Sequence, residues 1–228
     1  MRFLATGLLL SVSILAADKA EKEKETAWRA EKSAVVFSEI MAAPDKGIPR
    51  DLLEKAHCIV IVPDLKKGAF IVGAKYGKGV LSCRTAGGGW SAPGSVRVEG
   101  GSVGLQIGGS VTDVVMLVMN ERGMEKLLGD QFTLGGEGEV AAGPVGRSAS
   151  AQTDAKMSAE ILSWSRSHGV FAGLSLQGAT LRQDTKDNEQ LYGKPLTNRE
   201  VVDGKVKPPA AAEKLLTALN RYPMHEKP

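Results

Sequence analysis

Six basic side chains fall within a short span of this sequence, at Lys66, Lys67, Lys75, Lys78, Arg84 and Arg97, with Trp90 on a Gly87-Gly88-Gly89 loop among them. Brought together on neighbouring strands, they would form a cationic rim able to contact phosphate. An indole beside them could sit at a membrane interface, one end apolar and one wet. The same charges scattered along a sheet edge would instead guard it against pairing, with the Trp packed over the core. Other chemistry is poorly supplied. His57, His168 and His225 have no His or Cys neighbour at ligand spacing. No serine occupies a G-x-S-x-G elbow. The stretch Gly136-Glu137-Gly138-Glu139-Val140-Ala141 matches a loose G-x-G-x-x-A, but Gly143-Pro144 follows at once and two glutamates would face a pyrophosphate. It reads as a turn. Asp113, inside Thr112-Asp113-Val114-Val115, must be paired or exposed, and a hydrogen-bonded strand residue explains it without catalysis.

The elements that would carry this rim are short β-branched runs punctuated by glycine. Most of the 27 glycines lie between Gly68 and Gly146. Glycine permits turns and close backbone approach, while Val, Ile and Phe suit a pleated, half-buried surface. Strands are expected at 57–62, closed by a Pro63-Asp64 turn, then at 68–74 and 79–84, separated by Tyr76-Gly77-Lys78-Gly79. Further strands are expected at 95–99, 102–107 and 112–119. Connections this short cannot hold crossover helices, so the strands should pair antiparallel. A hairpin over 159–182, turning at Ser167-His168-Gly169, completes the β content. The expected fold is α+β: a Gly-rich antiparallel sheet, able to roll toward a barrel, with flanking helices.

Helices are expected at both ends. Over residues 18–42, Trp28, Val35, Val36 and Ile40 recur near the helical period, and acids and bases interleave in equal number over 18–32. Asp51 would cap a short turn of helix and Asn120 another before Gly129. Residues 184–191 read as helix, Thr197-Asn198-Arg199-Glu200 has capping-box form, and a last helix follows Pro208-Pro209, docked or loose.

Met1-Arg2, an apolar run from Phe3 to Leu15 and the small pair Ala16-Ala17 have the form of a secretory signal. The run is too short to span a bilayer, which takes about 20 residues. The expected organisation is a signal at 1–17, a helical segment at 18–56, a β-rich domain at 57–204 and a tail or helix at 205–228. Export would make the chain periplasmic or secreted and place Cys58 and Cys83 where disulfides persist. They read equally well as a bonded pair or as two small buried hydrophobes. A net charge of +3 from 29 basic and 26 acidic residues, with 5% aromatics, argues against nucleic acid.

In order along the chain, several segments resemble the SYLF domain family: Cys58-Ile-Val-Ile-Val-Pro63, Lys67-Gly-Ala-Phe-Ile-Val-Gly73, Gly77-Lys-Gly-Val80, Trp90-Ser-Ala-Pro93 and Gly101-Ser-Val-Gly-Leu-Gln-Ile-Gly108. The resemblance continues through Thr112-Asp113 to Met119-Asn120, Phe132-Thr-Leu-Gly135, Ala141-Ala-Gly-Pro-Val-Gly-Arg147, Ser163-Trp-Ser-Arg166, Gly169-Val-Phe-Ala-Gly173 and Leu191-Tyr-Gly193. It spans about Ala34 to Gly204. It implies binding of anionic phospholipid head groups, actin bundling in some eukaryotic members, and no catalytic residues; no cofactor is expected. Two features depart from that pattern: an exported chain would not meet actin, and the charge-balanced 18–32 segment is not a basic amphipathic surface. The expectation is a non-catalytic lipid-binding protein of the cell envelope, peripheral to the membrane and able to form homo-oligomers. The alternative is a structural protein acting through its N-terminal helix.

Overall fold

A computed structural model of the chain describes residues 5–43, 46–69, 72–103, 108–135, 140–143, 159–167, 170–171, 176 and 178–223. Its centre is one open, mostly antiparallel sheet. The strands are β1 (Cys58–Ala69), β2 (Val72–Cys83), β3 (Gly94–Val103), β4 (Gly108–Val118), β5 (Gln131–Thr133), β6 (Val140–Ala142), β7 (Ile161–Ser167), β8 (Val170–Phe171) and β9 (Thr180–Gln183). They run in the order β5-β9-β3-β2-β1-β4-β7-β6, with β8 paired to β7. Among the described residues, only the β6–β7 pair is parallel. The sheet does not close into a barrel: β5 and β6 stand at its two ends.

The four long strands are longer than the expected runs because Pro63-Asp64 is a bulge inside β1 and not a strand end. The register against β4 shifts between Val62 and Leu65, Asp64 adopts φ 50°, and its amide donates to Asp113 Oδ1 at 3.0 Å. A bulge of this kind bends one strand against its partner. The partner accommodates it with glycine: a Cβ on Gly79 would lie 2.2 Å from the Ile61 carbonyl, and one on Gly77 would lie 2.7 Å from Leu65 Cδ1. These glycines are therefore mid-strand, and the expected turn at Tyr76–Gly79 does not exist. The expected strand at 95–99 and the start of the one at 102–107 likewise join through Gly100-Gly101 as β3, which ends at Val103; residues 104–107 lie outside the described residues. The segment expected as one strand over 170–182 is divided: β8 pairs with β7, whereas β9 pairs with β3 on the far side.

Alternation along the strands produces two cores. On one face, Ile59, Ile61, Val115, Leu117 and Trp164 pack against Val36, Phe37 and Ile40. Those three belong to α1 (Ala5–Met41). On the other face, Val60, Val62, Leu65, Val98, Met116, Phe132 and Leu181 form a second cluster. Its cover includes Leu127 of α3 (Glu121–Leu127) and Val202 of α5 (Asn198–Val202). The remaining helices are α2 (Arg50–Lys55), α4 (Thr185–Tyr192) and α6 (Glu213–Leu219), the last entered through a 3₁₀ turn at Ala210–Ala212. Burial on both faces of β1 and β4 explains their unbroken apolar runs.

Local helix signals act mostly as the sequence implies. Asn120 accepts from the Gly123 amide, and Thr197 and Glu200 form the reciprocal capping box. Asp51 is not a cap: α2 starts one residue earlier behind Pro49, without a side-chain cap. The buried stripe of α1 includes Thr26, Ala30, Ser33, Phe37 and Ile40. Trp28 and Val35, expected on that stripe, are 51% and 48% exposed. The final helix is docked, with Leu215 and Leu219 buried in the first core. No helix among the described residues is long and apolar enough to cross a membrane.

Candidate functional site

The seven residues of the expected rim separate into three places. Lys66, Lys67 and Lys75 lie toward the hairpin end of β1 and β2. Lys78 and Arg97 are paired across β2 and β3 near α4. Arg84 and Trp90 bridge at the opposite end of the sheet.

At the hairpin end the register sets the chemistry. Lys66 lies opposite Tyr76 on β2 and Val111 on β4, so the three share one face. Lys66 is exposed, Tyr76 is 48% exposed and Val111 42%. Lys67 lies opposite Lys75 and Ser110, on the other face. Two cations directly across an antiparallel pair repel, and Lys75 shows the effect. Burial, then the charge of Lys67, holds its ammonium below the ordinary lysine range. The connections leaving this end read Phe70-Ile71 and Gly-Leu-Gln-Ile over 104–107 and lie outside the described residues.

Lys78 is committed elsewhere. Its Nζ donates to Asp187 Oδ1 at 2.8 Å and reaches Asp184 Oδ2 at 3.1 Å. Asp187 also accepts from Arg29 Nη1 of α1 at 2.5 Å, and Arg29 Nη2 donates to Glu25 at 2.7 Å. Asp184 caps α4 through the Asp187 amide. Burial alone would lower the Lys78 pKa, but Asp187 and then Asp184 raise it above the ordinary lysine value. Two cations and their carboxylates thus tie α1, β2 and α4 together. Arg97 pairs with Glu99 at 3.0 Å.

Arg84 and Trp90 hold the opposite end closed. The guanidinium stacks 3.9 Å from the Trp90 ring centroid and donates to the carbonyls of Gly88, Leu53 and Tyr222. Burial lowers its pKa to about 10. Trp90 is only 6% exposed, and its backbone amide donates to Asn220 Oδ1 at 3.3 Å. The glycine loop therefore does not present the indole outward. Tyr222 packs edge-on against Phe37, 5.9 Å between centroids. Beside this cluster Cys58 and Cys83, in register across β1 and β2 with Cα atoms 3.9 Å apart, are bonded through sulfur.

Asp113 is accounted for by structure. It accepts the Asp64 amide and faces Arg166 at 3.7 Å, and Arg166 in turn contacts Glu39 of α1. His57 lies at the start of β1, where its backbone pairs with Val118 and Arg84. His168, His225 and the glutamates of the 136–141 glycine stretch fall outside the described residues. No group of three or more His, Cys, Asp or Glu among the described residues could hold a metal ion. Charge and exposed apolar side chains lie together at the hairpin end of the sheet.

The family model described as Ysc84, Las17-binding protein actin regulator, matches residues 99–222. The chain belongs to this Ysc84, or SYLF, family. SH3 domain-containing YSC84-like protein 1 of Rattus norvegicus is 34% identical over 202 residues, 87% of this chain and 59% of the relative. The Homo sapiens protein of the same name is also 34% identical with the same coverage. LAS seventeen-binding protein 3 of Saccharomyces cerevisiae is 33% identical over 188 residues, 81% of this chain and 40% of the relative. The chain thus spans three fifths or less of the length of these relatives. Their names are those of binding proteins and not of enzymes.

Proposed function

We propose that the chain binds anionic phospholipid surfaces without catalysis, through the hairpin end of its sheet. The observation that carries this reading is the Lys67–Lys75 opposition at the hairpin end, with Lys66, Tyr76 and Val111 exposed on the reverse face of the same strands. A strand end that carries cations on both faces and exposed apolar side chains on one suits a phosphate-bearing amphiphile. Each basic residue near an anionic surface contributes about 1 kcal/mol, so exposed Lys66 and half-buried Lys67 give weak, salt-sensitive attachment, with Lys75, 7% exposed, behind them. The rim narrows from seven residues to three by position: Lys66, Lys67 and Lys75 share the hairpin end of β1 and β2, whereas Lys78 and Arg97 lie beside α4 and Arg84 and Trp90 at the opposite end of the sheet. The signal-like residues 1–17 support an exported, periplasmic or secreted, membrane-peripheral protein. Such a location would keep the chain from actin.

Co-sedimentation with vesicles of anionic or neutral phospholipid tests the proposal. The full chain should pellet with anionic vesicles at low salt and be released at high salt, and Lys66→Glu/Lys67→Glu should remain in the supernatant while keeping its circular dichroism. Pelleting indifferent to lipid charge, to salt or to this substitution overturns it.

A second reading is favoured by the exposed Trp28 and by the names of the relatives: a protein–protein role through α1.

A further inference from the structure

The outward face of α1 has features that the fold does not use. Residues 17–25 are exposed on every side of the helix. Trp28 and Val35 follow, two turns and about 10 Å apart, pointing away from the buried stripe that includes Ala30, Ser33 and Phe37. Trp28 and Val35, 51% and 48% exposed, leave apolar area uncovered on the side of α1 away from the sheet. At 100° per residue, Lys24, Glu31, Lys32 and Glu39 flank the same stripe as Trp28 and Val35.

The charges on that stripe decide what fits it. Two copies of α1 laid side by side in parallel would set Trp28 on Trp28, but also Lys24 on Lys24, Glu31 on Glu31 and Glu39 on Glu39. Laid antiparallel about a two-fold axis between residues 31 and 32, the same stripe becomes self-complementary. Trp28 meets Val35 of the second copy, Glu31 meets Lys32, and Lys24 meets Glu39. Each contact occurs twice, as an isologous interface requires. Every cation in the seam then faces a carboxylate.

We infer that the outer stripe of α1 is a self-association surface, on which α1 of a second copy packs antiparallel with Trp28 against Val35. The interaction is independent of the hairpin end and of the lipid reading. Glu39 keeps its contact with Arg166 and gains Lys24 of the second copy. Glu31 gives up only a 3.5 Å surface pair with Lys214, which contributes little. The seam is narrow, so the dimer forms reversibly and depends on concentration.

Sedimentation velocity of the full chain over a concentration series, with Trp emission read in parallel, tests this. Trp90 and Trp164 are buried, so a blue shift on association reports Trp28. Wild type should shift from monomer to dimer as concentration rises, with that blue shift. Trp28→Glu should weaken association about tenfold or more, equivalent to at least ~1.4 kcal/mol. Glu31→Lys and Lys32→Glu should each weaken it, and the double exchange Glu31→Lys/Lys32→Glu should restore it. A monomer at every concentration overturns the inference, as does a dimer indifferent to Trp28→Glu or a double exchange that fails to rescue. A monomer whose Trp28 emission shifts only on addition of anionic vesicles also overturns it, and assigns the stripe to lipid.

Discussion

Replacing Asp187 by Asn removes the shared carboxylate of the knot that fastens α1 to the sheet. The Asp187 side chain is 10% exposed and serves two cations, Arg29 at 2.5 Å and Lys78 at 2.8 Å, with Arg29 itself only 6% exposed. Asn keeps the size but loses the charge and one of the two acceptor oxygens. Removing one partner of a buried pair costs about 3–5 kcal/mol, because the other charge stays desolvated. Here Arg29 retains Glu25 and Lys78 retains Asp184, which places the loss at the lower end, about 3 kcal/mol. For a chain of this size that corresponds to a fall in Tm of about 6–12 °C. Thermal and urea unfolding at neutral pH, followed by circular dichroism, measure it. The contribution of Lys78 also has a sign in pH. Its raised pKa means that the stability it supplies is fully present below the ordinary lysine value of 10.5 and is lost as pH rises through the higher folded-state value. The Asn variant should show less of this alkaline loss than wild type. A destabilisation below about 1 kcal/mol, the range of solvent-screened surface pairs, would refute the reasoning. It would mean that apolar packing alone holds α1.

Two further outcomes follow from the sheet. Gly79→Ala should destabilise by about 1–3 kcal/mol or more, since the new methyl lies 2.2 Å from the Ile61 carbonyl of a neighbouring strand; a urea midpoint equal to wild type would show that the bulge can relax. The Cys58–Cys83 bond closes a separation of 25 residues, so Cys58→Ser/Cys83→Ser should lose about 3 kcal/mol in the chain-entropy view, and unfolding of wild type with reductant should approach that of the variant.

The β-rich centre was legible because β-branched runs and glycine have local causes. What misled were residues whose local meaning differs from their tertiary one. Pro63-Asp64 has turn chemistry, yet here the pair makes a bulge because β4 supplies Asp113 to hold the Asp64 amide. Gly77 and Gly79 resemble a turn for the same reason, and only their closeness to β1 reveals them as strand. Trp28 fits the helical period of the apolar residues, but periodicity does not tell an inner stripe from an outer one when both contain large side chains. Of the expected rim, Lys66, Lys67 and Lys75 come together because the hairpin register pairs them. Arg84 and Trp90 do meet, but beneath Tyr222, a contact across 138 residues that no local pattern encodes. Tyr76 and Val111 were missed as surface residues, since alternation alone does not say where the covering helix stops. Arg29, Asp184 and Asp187 were missed because their partnership joins elements more than 150 positions apart.

The grip of Arg84 on the Tyr222 carbonyl has a bearing on how the molecule is made. Leu215, Leu219 and Tyr222 finish the packing over Phe37 of α1, so segments far apart in the sequence complete one another. During synthesis the nascent chain can form hairpins, but the cover over α1 stays unfinished until residues 215–222 have left the ribosome. That segment is the clasp that completes the first core.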